Sequence, residues 1–270
     1  MTWKAIYLAP ESRDNSWEFF HENSKVGRYD GFLPQGVILK EMEQLLESLP
    51  FDQYPAVDLS GALTPLNLPL GEAIMSRGTA RHMRPCSLTL GDVATVLYYA
   101  YGVNRDNKAT IFPRPFRTVP SGGALYPLEI LLHSKHIQGL RAGLYHYNPT
   151  ANNLRLLREG DASRRISEAL IQPNLAHDTS LIFFLTAMFE RSTFKYGARG
   201  YRFVLLEAGH VAQNINLVSN ALGLGSINVG GYFDRQIDDL LELDGLTHST
   251  IYLIGIGEKL EDPQDPAELL

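Results

Sequence analysis

Residues 180–189, SLIFFLTAMF, are apolar at nearly every position. The run lacks the alternation of a half-exposed strand, and it is far shorter than the roughly 20 residues a membrane-spanning helix needs. It therefore reads as a strand covered on both faces, and the rest of the chain has to supply both covers. LEILLHSKH (128–136) and STIYLIGIG (249–257) read as strands of the same buried kind. GLYHYNPTANNLRLLREG reads as a hairpin turning at NPTANN.

Helical stretches are interspersed with these strands. In TLGDVATVLYYAYGV, Thr89 is placed to cap a helix and Asp92 to complete a capping-box-like pair, while Val93, Val96, Leu97 and Ala100 share one face. The longest amphipathic stretch, from Tyr201, aligns Val204, Ala208, Val211, Ala212, Ile215, Val218 and Leu222, with Gly223 where a C-cap belongs. DASRRISEALI and FDRQIDDLLELDG read as short helices. The pattern predicts an α+β or α/β domain around a central sheet. Before it, VILKEMEQLLESL (37–49) has a helical stripe, and the proline-rich residues 50–69 read as an extended crossing loop. The expected division is an N-terminal arm with short helices over 1–69 and a regular domain over 70–270.

Charge and cysteine content narrow the function classes. The net charge of −6 and pI near 5.8 argue against a general nucleic-acid binder. Cys86 is the single cysteine, so no internal disulfide can form, and a reducing, cytoplasmic setting is expected. The N-terminus MTWKAIYLAPESRDNSWEFF has no signal-peptide core, and no membrane association is expected. The eight histidines show no metal-ligand spacing, and no G-x-S-x-G elbow is present.

Three stretches could hold a ligand. In SRGTARHM (76–83), Arg77 and Arg81 flank Gly78 and Thr79, a pattern suited to a phosphate or to an ordinary solvated helix end. PSGGALYP (120–127) offers exposed backbone N–H groups, or simply a tight turn entering a strand. GLGSINVGGYFD (223–234) places Gly230 and Gly231 where a flat ring could lie, and Lys259 follows the last strand. Between strand and long helix, FKYGARGYR (194–202) concentrates Lys195, Arg199, Arg202, Tyr196 and Tyr201.

Taken in order, PSGGALYPLEI, GLYHYNP and FKYGARGYRFVLLEAGHVAQNINLVSNALGLG, with FHENSK (20–25) in the arm, resemble the flavin-dependent nitroreductase superfamily and within it the SagB-type dehydrogenases. The resemblance implies a homodimeric α+β fold, with a mostly antiparallel sheet flanked by helices and one FMN in each of two sites at the subunit interface. It implies that Arg77, Gly78, Thr79 and Arg81 hold the phosphate and ribityl chain, and that Lys259 assists. Pro120, Ser121 and Gly122 would come from the other subunit, and Val229, Gly230 and Gly231 would line the ring. Gly78 departs from a common second arginine, Thr79 from serine, and Ala124 from the asparagine of classical nitroreductases; the last departure suits the SagB-type branch.

The implied activity is oxidation of peptide thiazolines or oxazolines to azoles, with a cyclodehydratase and a ribosomal precursor peptide as partners and oxygen as final electron acceptor. The alternatives are an NAD(P)H-dependent nitro or quinone reductase and a non-catalytic assembly subunit. In the azoline oxidase branch a Lys-Tyr pair is required, and it falls here on Lys195 and Tyr196. Aromatisation removes a proton from Cα and a hydride from Cβ. Either residue could be the base, because neighbours in an extended segment point opposite ways.

Overall fold

The computed structural model describes residues 15–31, 33–61, 63–108 and 114–261. The first fourteen residues, which carry part of the signal-peptide reading, lie outside them. In chain order the elements are α1 (Ser16–Asn23), α2 (Gln35–Gln44), β1 (Ala56–Asp58), α3 (Leu70–Ser76), β2 (Met83–Arg84), β3 (Leu88–Thr89), α4 (Leu90–Tyr101), β4 (Val103–Arg105), β5 (Phe116–Arg117), β6 (Leu128–Ser134) and β7 (Ile137–Gln138). They continue with β8 (Gly143–Asn148), β9 (Asn153–Glu159), α5 (Ser163–Glu168), α6 (Leu175–Asp178), β10 (Leu181–Met188), α7 (Glu190–Tyr196), α8 (Ala198–Ala221), β11 (Gly225–Val229), α9 (Asp234–Leu241) and β12 (His248–Lys259).

The apolar run at 181–188 sits inside the sheet, as its composition demands. The strand order is β1-β9-β8-β6-β10-β12-β11, with β2 added on β12, and every pairing is antiparallel. Because side chains alternate across a strand, β10 divides its apolar residues between two cores. Leu181, Phe183, Leu185 and Ala187 face the layer of α4 and α8, and Ile182 and Phe184 face the layer of α5, α6 and α9. Burying each such phenylalanine is worth about 1.5–3 kcal/mol, so this strand fixes both layers at once.

The helix boundaries have local causes. Thr89 Oγ1 accepts from the Asp92 backbone N–H at 3.1 Å, and Asp92 Oδ2 accepts from the Thr89 N–H at 2.9 Å, a reciprocal cap that starts α4. At the end of α8, Gly223 N donates to Asn220 O and Leu224 N to Ser219 O, the paired bonds of a Schellman ending.

Three expectations change in the structure. The helix expected over 37–49 ends at Gln44, and Leu45 is extended. Its last residues are drawn away by buried partners: Arg114 donates to Leu45 O, Arg117 to Glu47 O, and Ser48 Oγ and Leu49 N donate to Glu129. The crossing loop at 50–69 contributes β1, an edge strand on β9. The long helix begins at Ala198 rather than Tyr201, and the separate helix α7 stands before it. Among the described residues, no helix is long and apolar enough to cross a membrane.

Candidate active site at the two ends of the long helix

Helix α7 corrects the local picture of the Lys-Tyr pair. Lys195 and Tyr196 do not lie in an extended segment; they form the last turn of a helix. Consecutive helical residues differ by about 100° in direction rather than 180°, so both side chains can address one place. That place is Gly123. A Cβ built there would lie 2.7 Å from Tyr196 Oη and 2.9 Å from Lys195 Nζ. Lys195 Nζ is also 5.3 Å from the Tyr196 ring centre.

Both residues line a cleft of about 500 Å³ between α7, the start of α8 and the N-terminal segment from Asn23 to Leu33. The segment is held there by Arg202, which donates to His21 O, and by an edge-on contact of Phe20 with Tyr201 at 5.2 Å. Arg202 thus ties down the arm. Arg199 lines the cleft, and its buried Nε has no hydrogen-bond partner among the described residues.

The turn from α7 into α8 falls on Gly197, at φ 55° and ψ −145°, a conformation open essentially to glycine alone. At the other end of α7, Arg191 Nη1 lies 2.6 Å from Glu129 Oε1. Glu129 and His146 are fully enclosed, with His146 Nε2 2.6 Å from Glu129 Oε2. Burial opposes the Glu129 charge, but the His146 bond and the cations around it hold its carboxyl down at about 2.

The PSGGALYP loop is shaped from below. Tyr126 N donates to Ser121 Oγ at 2.9 Å, and the Ser121 hydroxyl faces the carboxyl of Glu207 on α8. Tyr101 Oη donates to Glu207 Oε1 at 2.8 Å. Arg117 lies over the rings of Tyr101 and Tyr126, at 4.3 and 4.8 Å, and its backbone N–H donates to Tyr126 Oη. Burial pushes the Glu207 carboxyl up to about 7 in spite of its two hydroxyl donors and Arg117. Glu207, Tyr101, Arg117 and Glu129 were not singled out in the sequence.

The expected anion-binding residues gather elsewhere. Thr79 bridges Ser226 in β11, and Ala80 N donates to Ser226 O. A Cβ at Gly225 would touch both Ala80 and Lys259, which places Lys259 beside this segment. Gly78, Thr79, Arg81 and Lys259 are exposed and Arg77 is half-buried. The side chains of Arg77, Arg81 and Lys259 make no hydrogen bond or ion pair among the described residues. Val229 ends β11, about 10 Å along the strand from Ser226, and Gly230 and Gly231 follow it. A Cβ at Gly230 would meet nothing within 4 Å, whereas one at Gly231 would press on Ile171.

One chain therefore brings Gly122 to Tyr196, and Gly123 to Lys195 and Tyr196, with Pro120 and Ser121 just before them in the chain, but keeps Arg77 apart from the pair. Asn220 donates to Ala73 O and Ser76 Oγ, which fixes the Arg77 segment to the C-terminal end of α8. The Lys-Tyr pair precedes its N-terminal end. From Ala198 at that end to Asn220 the 24-residue helix rises by about 33 Å. No group of His, Cys, Asp and Glu arranged to hold a metal ion occurs among the described residues.

An antiparallel sheet enclosed by two helical layers is a nitroreductase-like arrangement. The Nitroreductase family model matches residues 74–258, and the chain belongs to that family. Among its relatives, MJ1384 of Methanocaldococcus jannaschii, which carries a nitroreductase name, is 32% identical over 71% of this chain and 92% of its own. The microcin B17-processing protein McbC of Escherichia coli is 34% identical over 54% of this chain and 56% of McbC. The trifolitoxin-processing protein TfxB of Rhizobium leguminosarum is 30% identical over 50% of this chain and 38% of TfxB. Kinship with peptide-processing members, expected from the sequence, is thus met. Of the solved structures, the E. coli microcin synthetase McbBCD complex contains a chain that matches with a TM-score of 0.57 at 22% identity, over 92% of each chain. A nitroreductase-named structure from Anabaena variabilis matches with a TM-score of 0.66 at 23% identity, over 86% of this chain and 49% of that one.

Proposed function

We propose that this protein is an FMN-dependent dehydrogenase that converts azolines in a ribosomal precursor peptide to azoles, working as a homodimer beside a cyclodehydratase. The observation that carries the reading is the convergence of Lys195 Nζ and Tyr196 Oη on Gly123 in an open cleft. The 34% identity to a microcin-processing protein supports the substrate class.

The residues present fit FMN. Arg77 and Arg81, with Lys259 beside them, offer unpartnered cations for a phosphate, and Gly78 and Thr79 leave backbone and hydroxyl free beside it. Open space at Gly230, with Val229 and Gly231 beside it, accommodates a flat ring. When bound, FMN supplies the acceptor for the hydride leaving azoline Cβ. The chain's own task is the Cα proton. Tyr196 as phenolate, with the Lys195 ammonium stabilising it, or Lys195 as free amine with Tyr196 orienting the ring, would take it. The step leaves an azole and a protonated base, and the two electrons depart with the hydride.

The 33 Å between the ends of α8 supports a site shared by two copies, with Pro120, Ser121 and Gly122 facing a flavin held by the partner. The solvent-facing Leu70, Ile74 and Met75 of α3 and Leu205 and Leu206 of α8 offer an apolar surface for that pairing. Division of the chain into an arm over 1–69 and a catalytic domain over 70–270 belongs to the same reading, with the arm walling the cleft.

A second reading, an NAD(P)H-dependent nitro or quinone reductase, is favoured by the match covering 92% of MJ1384. Stopped-flow reduction of the bound flavin separates the two. An azoline-bearing peptide should bleach the flavin and lose two hydrogens per ring by mass spectrometry. Rapid bleaching by NADPH with no response to the peptide overturns the first reading.

A further inference from the structure

The loop Pro120–Pro127 contains three residues with positive φ: Gly123 at 67°, Ala124 at 54° and Tyr126 at 47°. Two of them carry a Cβ, so the conformation is costly and must be held by its surroundings. What holds it is a buried polar network. Ser121 is the connection: its Oγ accepts from Tyr126 N across the turn, and its hydroxyl faces the Glu207 carboxyl, whose charged form it favours. Glu207 is 2% exposed and also receives the Tyr101 hydroxyl.

We propose that Glu207 is a positioning residue that, through Ser121, holds the Pro120–Pro127 loop in the shape that sets Gly123 against Lys195 and Tyr196. Its role in turnover rests on the reading of Lys195 and Tyr196 as the reacting pair; the holding of the loop does not. A carboxylate can accept from Ser121 and Tyr101 together. Protonation turns one of its oxygens into a donor and leaves the other as a weaker, uncharged acceptor. The groups facing the carboxyl are Tyr101 from α4, Ser121 and Tyr126 from the loop, and Arg117 from β5. Arg117 is itself committed to Glu47 O. Ionisation strengthens the hydroxyl bonds to the carboxyl, so the loop is held more firmly as pH rises through about 7. This holds even though burial of the charge costs the whole fold stability over the same range.

Hydrogen-deuterium exchange of the peptide spanning 120–127, read at matched pH in the full chain, tests this directly. Glu207→Gln and Ser121→Ala should each speed its exchange by about 10- to 100-fold, the range of a lost charge-assisted bond. Ser121→Thr, which keeps the hydroxyl, should restore protection. The kcat for azoline oxidation should rise with pH through about 7 in the parent chain and lose that limb in Glu207→Gln. Parental exchange in both Glu207→Gln and Ser121→Ala overturns the proposal. So does faster exchange spread equally through α4 and β6, which would make Glu207 a core group, or a loosened loop with kcat and its pH limb intact. If the parent chain oxidises no azoline, the functional reading fails while the exchange result still decides whether Glu207 holds the loop.

Discussion

The two ends of α8 are built on opposite principles. At the N-terminal end several polar groups are engaged from within: Arg191 with Glu129, Tyr101 with Glu207, Arg202 with the arm. At the C-terminal end Arg77, Arg81 and Lys259 stand open with no partner among the described residues. Under the proposed function the first end spends folding energy to fix geometry for proton transfer, where small misplacements cost large factors in rate. The second end keeps charge available, as a site for an anionic ligand requires, and leaves the ordering of its side chains to the moment of binding. Substitutions at the first end should therefore act on turnover and stability, and those at the second on ligand affinity alone.

The largest effect is expected at the Lys-Tyr pair. Tyr196→Phe and Lys195→Ala should each lower azole formation by about 10²–10⁴-fold, the contribution of a placed general base. Bound flavin, read from its visible absorbance, should remain. Loss of flavin from both variants would dissolve the distinction between the two ends. Next in size is Arg191→Ala, which leaves Glu129 buried against His146 without its guanidinium. Breaking a buried pair from one side costs about 3–5 kcal/mol, visible as a fall in the urea midpoint. An unchanged midpoint would mean that α7 is not anchored through Glu129.

Burial of Glu207 gives a pH signature of similar kind. Its carboxyl titrates near 4.5 when exposed and is raised to about 7 in the fold. The folded chain then holds a proton that the unfolded chain has lost, so this group's stabilisation is complete below about pH 4.5 and gone above about pH 7. The change is on the order of 3 kcal/mol. Unfolding free energies from urea titrations should fall by about that amount between pH 5 and pH 8 in the parent chain relative to Glu207→Gln. Parallel behaviour of the two would place the carboxyl in contact with water.

Much of this asymmetry was hidden from the sequence for a physical reason. The run at 181–188, the Thr89–Asp92 cap and the Gly223 ending are decided by residues a few positions apart, and all three are legible in order. The Glu207–Tyr101 bond spans 106 residues and the Ser48–Glu129 bond 81. A carboxylate reads as surface until its distant donors are known. Helix α7 was missed because FERSTFKY follows a buried strand without a turn signal, and the chain reverses only where Phe189 N bonds Thr247 O and Gly197 takes its glycine-only conformation. The motifs of both sites were legible as residue types. That one chain holds them at opposite ends of α8 was not, because it depends on which end of the helix each segment packs against.

Arg77→Ala is the sharpest probe of the open end, because two measurements should diverge. The guanidinium bonds nothing among the described residues, so the unfolding midpoint without ligand should stay within about 0.5 kcal/mol of the parent, as for an uncommitted surface group. The affinity for FMN should fall by about 1.5–3 kcal/mol, roughly 10- to 100-fold, because a charge-assisted bond to phosphate is lost. Arg77→Lys should recover part of that affinity, since an ammonium keeps the charge but not the two-pronged geometry. If the shift appears in stability and not in affinity, the cations at this end serve the fold and the anion site lies elsewhere. If affinity falls equally with Arg77→Ala and Arg77→Lys, geometry rather than charge holds the phosphate, and the exposed Lys259 beside it contributes little.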